Sequence, residues 1–248
     1  MALVTGSSRG IGAETALLLG AWGVRVVVTY REKARRAEQV VAEIERRGGR
    51  AIACGADITD VEAVRELVTS IRSAFGQLDI VVLNASGGME PDVDDSYALR
   101  LNRDAQLMLL DECLPALTSN ARIVFVTSHQ AHFVHQRPVP PAYAPVAASK
   151  RAGEDAVRAW VEAVDGHPVE LAVVSGDMIE GTITVKLLER IEPGTVAGRL
   201  CQAGSIPTIA EFAGSITTAA VGPLPEETVY VGGSDYLDGG ARGRAVTA

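Results

Sequence analysis

The 248-residue chain is 47% hydrophobic and only 4% aromatic, long enough to bury one large core built from Ala, Val, Leu and Ile. Its formal net charge of −8 argues against general binding to nucleic acid or to anionic membranes, and leaves room for a local basic pocket. Cys54, Cys113 and Cys201 are odd in number, widely spaced and without a CxxC pattern, which suits reduced thiols. With strand-like residues from the start and no apolar run of membrane-spanning length, a soluble cytoplasmic protein is expected.

Short β-rich runs over residues 2–4, 24–29, 51–54, 80–83, 122–127, 169–174 and 228–231 alternate with helical patterns over 12–21, 33–47, 61–75, 97–117, 147–163 and 209–220. This alternation predicts an α/β fold: a doubly wound parallel sheet of seven strands with helices on both faces. Several strands are near-continuous Val/Ile/Leu runs, as when both sheet faces are covered. Thr59 or Asp60 can cap the third helix, ahead of Glu62. No repeat or linker divides the chain, so residues 1–248 read as one domain. Two stretches are irregular: the His/Pro-rich segment 129–141, and 182–205. The Gly/Arg-rich stretch after Asp238 reads as mobile or used in subunit contact.

The first strand runs into Thr5-Gly6-Ser7-Ser8-Arg9-Gly10-Ile11-Gly12 and then a helix. Glycines in such a turn let the backbone approach a pyrophosphate, and the helix N-terminus supplies free N–H groups and partial positive charge. Gly6, Gly10 and Gly12 have the TGxxxGxG spacing, and the chain resembles the short-chain dehydrogenase/reductase family over nearly its whole length. That resemblance implies a Rossmann fold and a nicotinamide cofactor held by Gly6, Ser8, Arg9, Gly10, Ile11 and Gly12. It also implies adenine contacts at Asp57 and Ile58, and an NNAG-like turn at Asn84-Ala85-Ser86-Gly87 whose Asn84 and Ala85 support and line the cofactor. The plain alternatives are a turn residue for Asn84 and a helix-entry acid for Asp57. Strand two ends in Thr29-Tyr30-Arg31-Glu32-Lys33, with no Asp to bind ribose hydroxyls. Arg31, Lys33 and Arg9 favour the 2′-phosphate of NADP(H), Arg9 and Arg31 being the leading contacts; the alternative is ordinary solvated charge.

The family's chemistry uses Asn, Ser, Tyr and Lys, and the resemblance places Asn102, Ser128 and Lys150 in these roles. Hydride arriving at a carbonyl carbon creates an oxyanion that must be stabilised and protonated, and a nearby ammonium favours phenolate over phenol. In the stretch Tyr143-Ala144-Pro145-Val146-Ala147-Ala148-Ser149-Lys150, however, the family's Tyr position holds Val146. Pro145 biases Ala144 away from helical geometry, which puts Tyr143 in the preceding loop. There its ring either folds back toward Ser128 or packs on the loop surface.

Segment 129–141 is longer than the family usually carries and holds His129, His132 and His135. His129, beside Ser128, is the strongest alternative acid. No compact metal-ligand motif accompanies them, so no metal is expected. The family's PG turn is replaced by Ser175-Gly176-Asp177-Met178-Ile179-Glu180-Gly181-Thr182. Ile179 and Thr182 remain candidates for the carboxamide end, and Asp177 and Glu180 are expected in solvent at the pocket mouth. Residues 182–205 correspond to a substrate lid.

By resemblance to the ketoacyl-reductase branch, the expected activity is NADP(H)-dependent oxidation or reduction of a carbonyl or secondary alcohol, on a small or carrier-bound substrate. Tyr143 or a loop histidine would donate the proton. The alternatives are a degenerate cofactor-binding member serving as sensor or partner subunit, and an enzyme of non-redox elimination or isomerisation. The same resemblance implies a homotetramer or homodimer built on the fourth and fifth helices.

Overall fold

The computed structural model describes residues 1–90, 93–94, 96–164, 166, 168–224 and 226–237. The stretch after Asp238 lies outside the described residues. β1 (Ala2–Val4), β2 (Val26–Tyr30), β3 (Ala51–Gly55), β4 (Leu78–Leu83), β5 (Leu117–Ser128), β6 (Val169–Gly176) and β7 (Thr228–Val231) form one sheet in the order β3-β2-β1-β4-β5-β6-β7. Every pairing is parallel. The order reverses beside β1, and in such sheets ligands bind outside the carboxyl ends of the strands at that point.

Alternation along the strands divides the core into two layers. On β5, Ile123 and Phe125 face one layer with Leu67 and Ile71 of α3 (Val61–Phe75). Val124 and Val126 face the other, with Leu19 of α1 (Gly10–Ala21), Ile44 of α2 (Ala34–Arg46) and Phe212 of α10 (Ile209–Val221). Asp60 caps α3 by accepting the Glu62 N–H at 3.0 Å.

Four expectations are corrected. The single helix over 97–117 is instead α4 (Tyr97–Leu99), a π-helical turn (Arg100–Asp104), α5 (Ala105–Cys113) and a 3-10 turn, with β5 already starting at Leu117. The lid region is not irregular: it holds α8 (Ile183–Ile191) and α9 (Thr195–Ala203), each of nine residues. Segment 129–141 opens with the short α6 (His129–His132). The helix α7 (Ala144–Ala163) starts three residues before the expected position, with Ala144 itself helical. Pro145 lies in the first turn, where its missing N–H costs nothing, so the bias on Ala144 is overridden.

Among the described residues no helix is long and apolar enough to cross a membrane. Nor, among them, do three His, Cys, Asp or Glu residues group as metal ligands.

Candidate active site

One cleft of about 640 Å³ runs along the carboxyl edge of the sheet. At one end lies the turn after β1. Gly6 and Gly10 adopt left-handed φ values of +62° and +57°, and a Cβ on Gly12 would stand 2.6 Å from Asn84 Nδ2 and 2.7 Å from the Gly6 carbonyl. Buried hydroxyls fix the turn. The Gly6 N–H donates to Thr29 Oγ1 (3.1 Å), the Thr29 N–H to Ser7 Oγ (2.9 Å), and Ser7 Oγ to the Val4 carbonyl (2.7 Å). Asn84 Nδ2 donates to the Thr5 carbonyl (2.8 Å), while Thr5 Oγ1 accepts the N–H groups of Asn84 and Ala85, each at 2.9 Å. Arg9 stands at the head of α1 in extended backbone with no side-chain cap, and no atom lies within 4 Å of a Cβ built on Gly10. The first amides of α1 therefore carry no side-chain cap, as an anion-binding helix end requires. The pyrophosphate of a dinucleotide fits this cradle.

Gly6, Ser8, Arg9, Gly10, Ile11 and Gly12 all line the cleft, as do Arg31, Asp57, Ile58, Asn84, Ala85, Ile179 and Thr182. Arg31 Nη1 donates to the Tyr97 hydroxyl at 2.6 Å and Nη2 pairs with Glu32 at 3.1 Å, leaving the side chain about half exposed (47%). Arg36 joins it on the wall; only its place on the first turn of α2 could have pointed to it in sequence. Asp57 Oδ1 accepts both the N–H and the hydroxyl of Thr59, at 2.9 and 2.7 Å. Thr182 caps α8 through the Val185 N–H at 3.4 Å.

At the other end, Ser128 terminates β5 and its Oγ accepts the Ala131 N–H at 3.3 Å. The Tyr143 hydroxyl lies 3.2 Å from that Oγ, so the ring folds toward Ser128 rather than out onto the loop. Tyr143 is 5% exposed, and burial pushes its phenol pKa up, opposed by the Ser128 hydrogen bond. Tyr143, Val146, Ala147 and Leu188 of α8 form one apolar cluster with Ala131, Met89 lying against it. Ser128, Tyr143, Val146 and Lys150 all line the cleft. Burial pushes the Lys150 ammonium down to about 8, with Glu154 one turn further along α7 pulling the other way.

The Asn102 side chain is engaged through both its oxygen and its nitrogen. Its Nδ2 donates to the Gly87 carbonyl (3.0 Å) and to Ser149 Oγ (2.9 Å), and its Oδ1 accepts the Gly87 N–H at 3.3 Å. The side chain is 2% exposed and clamps the turn after β4 to α7. The π-turn carries its main chain so close to α7 that a Cβ on Gly153 would stand 2.0 Å from the Asn102 carbonyl.

The structure removes His129 from the site. Its ring is fully buried and does not line the cleft, with Nε2 2.9 Å from the Gly232 carbonyl and Nδ1 2.8 Å from Ser175 Oγ. A carbonyl only accepts, so Nε2 carries the proton, and burial keeps the ring neutral by lowering its pKa. His132 bridges Glu154 (2.9 Å) and the Tyr230 hydroxyl (3.1 Å), and His135 is exposed. Asp177, expected in solvent, is buried against Arg199 of α9 at 2.8 Å, whereas Glu180 is exposed.

A family profile described as short chain dehydrogenase matches residues 1–192. A probable tetrahydroxynaphthalene reductase of Zymoseptoria tritici is 37% identical over 164 residues, 64% of this chain and 60% of that one. A versicolorin reductase of Emericella nidulans is 38% identical over 137 residues, 53% of this chain and 52% of that one. The chain thus spans between about half and three-fifths of the length of these relatives. Among solved structures, a short chain dehydrogenase from Burkholderia cenocepacia in complex with NADP aligns with a TM-score of 0.76 at 30% identity, covering 93% of this chain and 94% of that chain. An angucycline C-6 ketoreductase with bound NADP gives 0.72 at 26% identity, covering 88% and 87%.

Proposed function

Because the chain belongs to the short chain dehydrogenase family, we propose that it is an NADP(H)-dependent oxidoreductase that reduces a carbonyl group. In it the proton comes from Tyr143, and Val146 stands where the family's tyrosine belongs. The observation that carries this reading is the Ser128–Tyr143 pair, 3.2 Å apart on the wall of the cleft that Lys150 also lines.

NADP(H) suits the residues around the phosphate end. Main-chain N–H groups over residues 6–12 would hold the pyrophosphate. Arg31, with Arg9, Lys33 and Arg36 on the same wall, would hold the 2′-phosphate, and Asp57 and Ile58 the adenine. When bound, the cofactor supplies the hydride.

The chain's own groups account for the rest. Ser128 Oγ, already accepting the Ala131 N–H, turns its hydrogen toward the substrate oxygen. As the carbonyl carbon gains the hydride, its π electrons pass to oxygen, which takes the Tyr143 proton to give the alcohol and leaves a phenolate. Burial keeps the phenol protonated beforehand, the form in which it can give that proton. Lys150, charged below about pH 8, would hold the nicotinamide ribose in the same cleft, and solvent returns a proton to the phenolate. Asn102 holds the turn at Gly87 and α7 in register rather than touching the substrate.

The test is NADPH consumption against a panel of aliphatic, aromatic and thioester-borne ketones, with NADPH fluorescence reporting binding. Turnover on at least one ketone is expected. Tight NADPH binding with no turnover on any carbonyl would contradict the reductase reading and favour a binding protein that kept the cofactor and lost the chemistry.

A further inference from the structure

The flap formed by α8 and α9 is fastened in an unusual way. Along α9 the buried residue is Arg199, and the apolar Leu200 and Ile191 of the flap are 40% and 56% exposed. A helix normally docks through an apolar stripe. Here a guanidinium takes that place. Arg199 Nε reaches Asp177 Oδ1 at 2.8 Å and Oδ2 at 2.9 Å, while Nη1 and Nη2 fork onto Asp235 at 2.9 and 2.7 Å. The guanidinium also lies 4.9 Å from the centre of the Tyr236 ring. Gly233, at φ +56°, lets the backbone close over the group: a Cβ there would stand 2.9 Å from Arg199 Nη2 and 3.0 Å from Asp177 Cγ.

The two ends of this clasp touch the site from opposite sides. Asp177 sits in the turn that lines the cleft with Gly176, Met178 and Ile179. The flap carries Leu188, packed in the cluster of Tyr143 and Val146, and Glu192, whose Oε1 accepts the Ala142 N–H at 3.2 Å, one residue before Tyr143. Nothing in the proposed reaction uses Arg199, yet it joins the floor of the cleft to its cover. A charged fork is directional, so it fixes where the flap sits as well as that it sits there.

We propose that Arg199 is a positioning residue: its ion pairs with Asp177 and Asp235 hold the α8–α9 flap over the substrate compartment and so set the affinity for the carbonyl substrate. The substrate part of this inference rests on the reductase reading; the clasp itself does not. The experiment compares wild type with Arg199→Met and Arg199→Lys by hydrogen exchange, NADPH fluorescence and steady-state kinetics. In Arg199→Met, exchange over residues 183–203 should rise roughly tenfold while the sheet keeps its protection. KM for the carbonyl should rise roughly tenfold with a smaller fall in kcat, because bound substrate re-closes the flap. Arg199→Lys keeps the charge without the fork and should restore part of both effects; it also carries the test if the methionine variant does not fold. Unchanged exchange over 183–203, or a rise shared equally by the sheet, would overturn the clasp. A local rise in exchange with KM unchanged would overturn its role in substrate affinity. If the wild type turns over no carbonyl while the local exchange still rises, the clasp stands and the reductase reading fails.

Discussion

The turn over residues 6–12 offers a ligand main-chain N–H groups, whereas the Ser128 end offers side chains brought by β5, by the turn before α7 and by α7 itself. Thr5, Ser7, Thr29 and Asn84 lock the first region's backbone, and Gly12 leaves no room for a methyl group. In the second region the position of an atom matters more than the Cα that delivers it: the Tyr143 hydroxyl reaches Ser128 from three residues before Val146. A site made of backbone resists substitution, while a site made of side chains can be supplied again from a neighbouring position.

That contrast can be broken at either end. The largest effect on binding is expected from Gly12→Ala, whose Cβ would meet Asn84 Nδ2, the Gly6 carbonyl and Ser7 Cα within 2.9 Å. Overpacking of this kind costs about 1–3 kcal/mol, and if the turn shifts to absorb it NADPH affinity should fall by up to about a hundredfold; fluorescence titration with a melting curve checks both. Arg31→Ala should lower NADPH affinity by roughly tenfold, the low end for a charge-assisted hydrogen bond, with NADH affinity unmoved; competitive titration of the two cofactors reads the difference.

At the side-chain end, the rate should decline as pH rises through about 8, where the Lys150 ammonium is lost. The sign for stability is opposite. The folded-state value lies below that of an unfolded lysine, so between about 8 and the ordinary lysine value the unfolded chain binds more protons, and this group's contribution to stability grows with pH. A pH–rate profile beside a pH–melting series separates lost catalysis from unfolding. The smallest effect on turnover belongs to His129→Ala. It strands the Ser175 hydroxyl and the Gly232 carbonyl, which should cost about 1–3 kcal/mol of stability, while turnover per folded molecule stays the same.

The two regions were also unequally legible in the sequence. The seven strands and the glycine turn could be read because their causes are local: β-branched runs for covered strands, and glycines where the chain makes a close approach. Thr5, Ser7 and Thr29 escaped notice because their hydroxyls bond across segments distant in the chain. The misassignment of His129 had a signal within reach. Successive residues at a strand end point to opposite sides, so if Ser128 faces the cleft its neighbour faces away. α9 was hidden by docking through an arginine instead of an apolar stripe. The start of α7 depended on Pro145 acting as a first-turn residue instead of a barrier, a choice settled by the packing of Tyr143 on Val146 and Leu188.

The central claim, that the proton comes from Tyr143, is tested most directly by kcat for carbonyl reduction in Tyr143→Phe, with NADPH affinity measured on the same protein. The substitution removes one oxygen and keeps the ring in its cluster, so kcat should drop by about 10²–10⁴-fold with the NADPH dissociation constant unchanged. A kcat equal to that of the wild type would contradict the account.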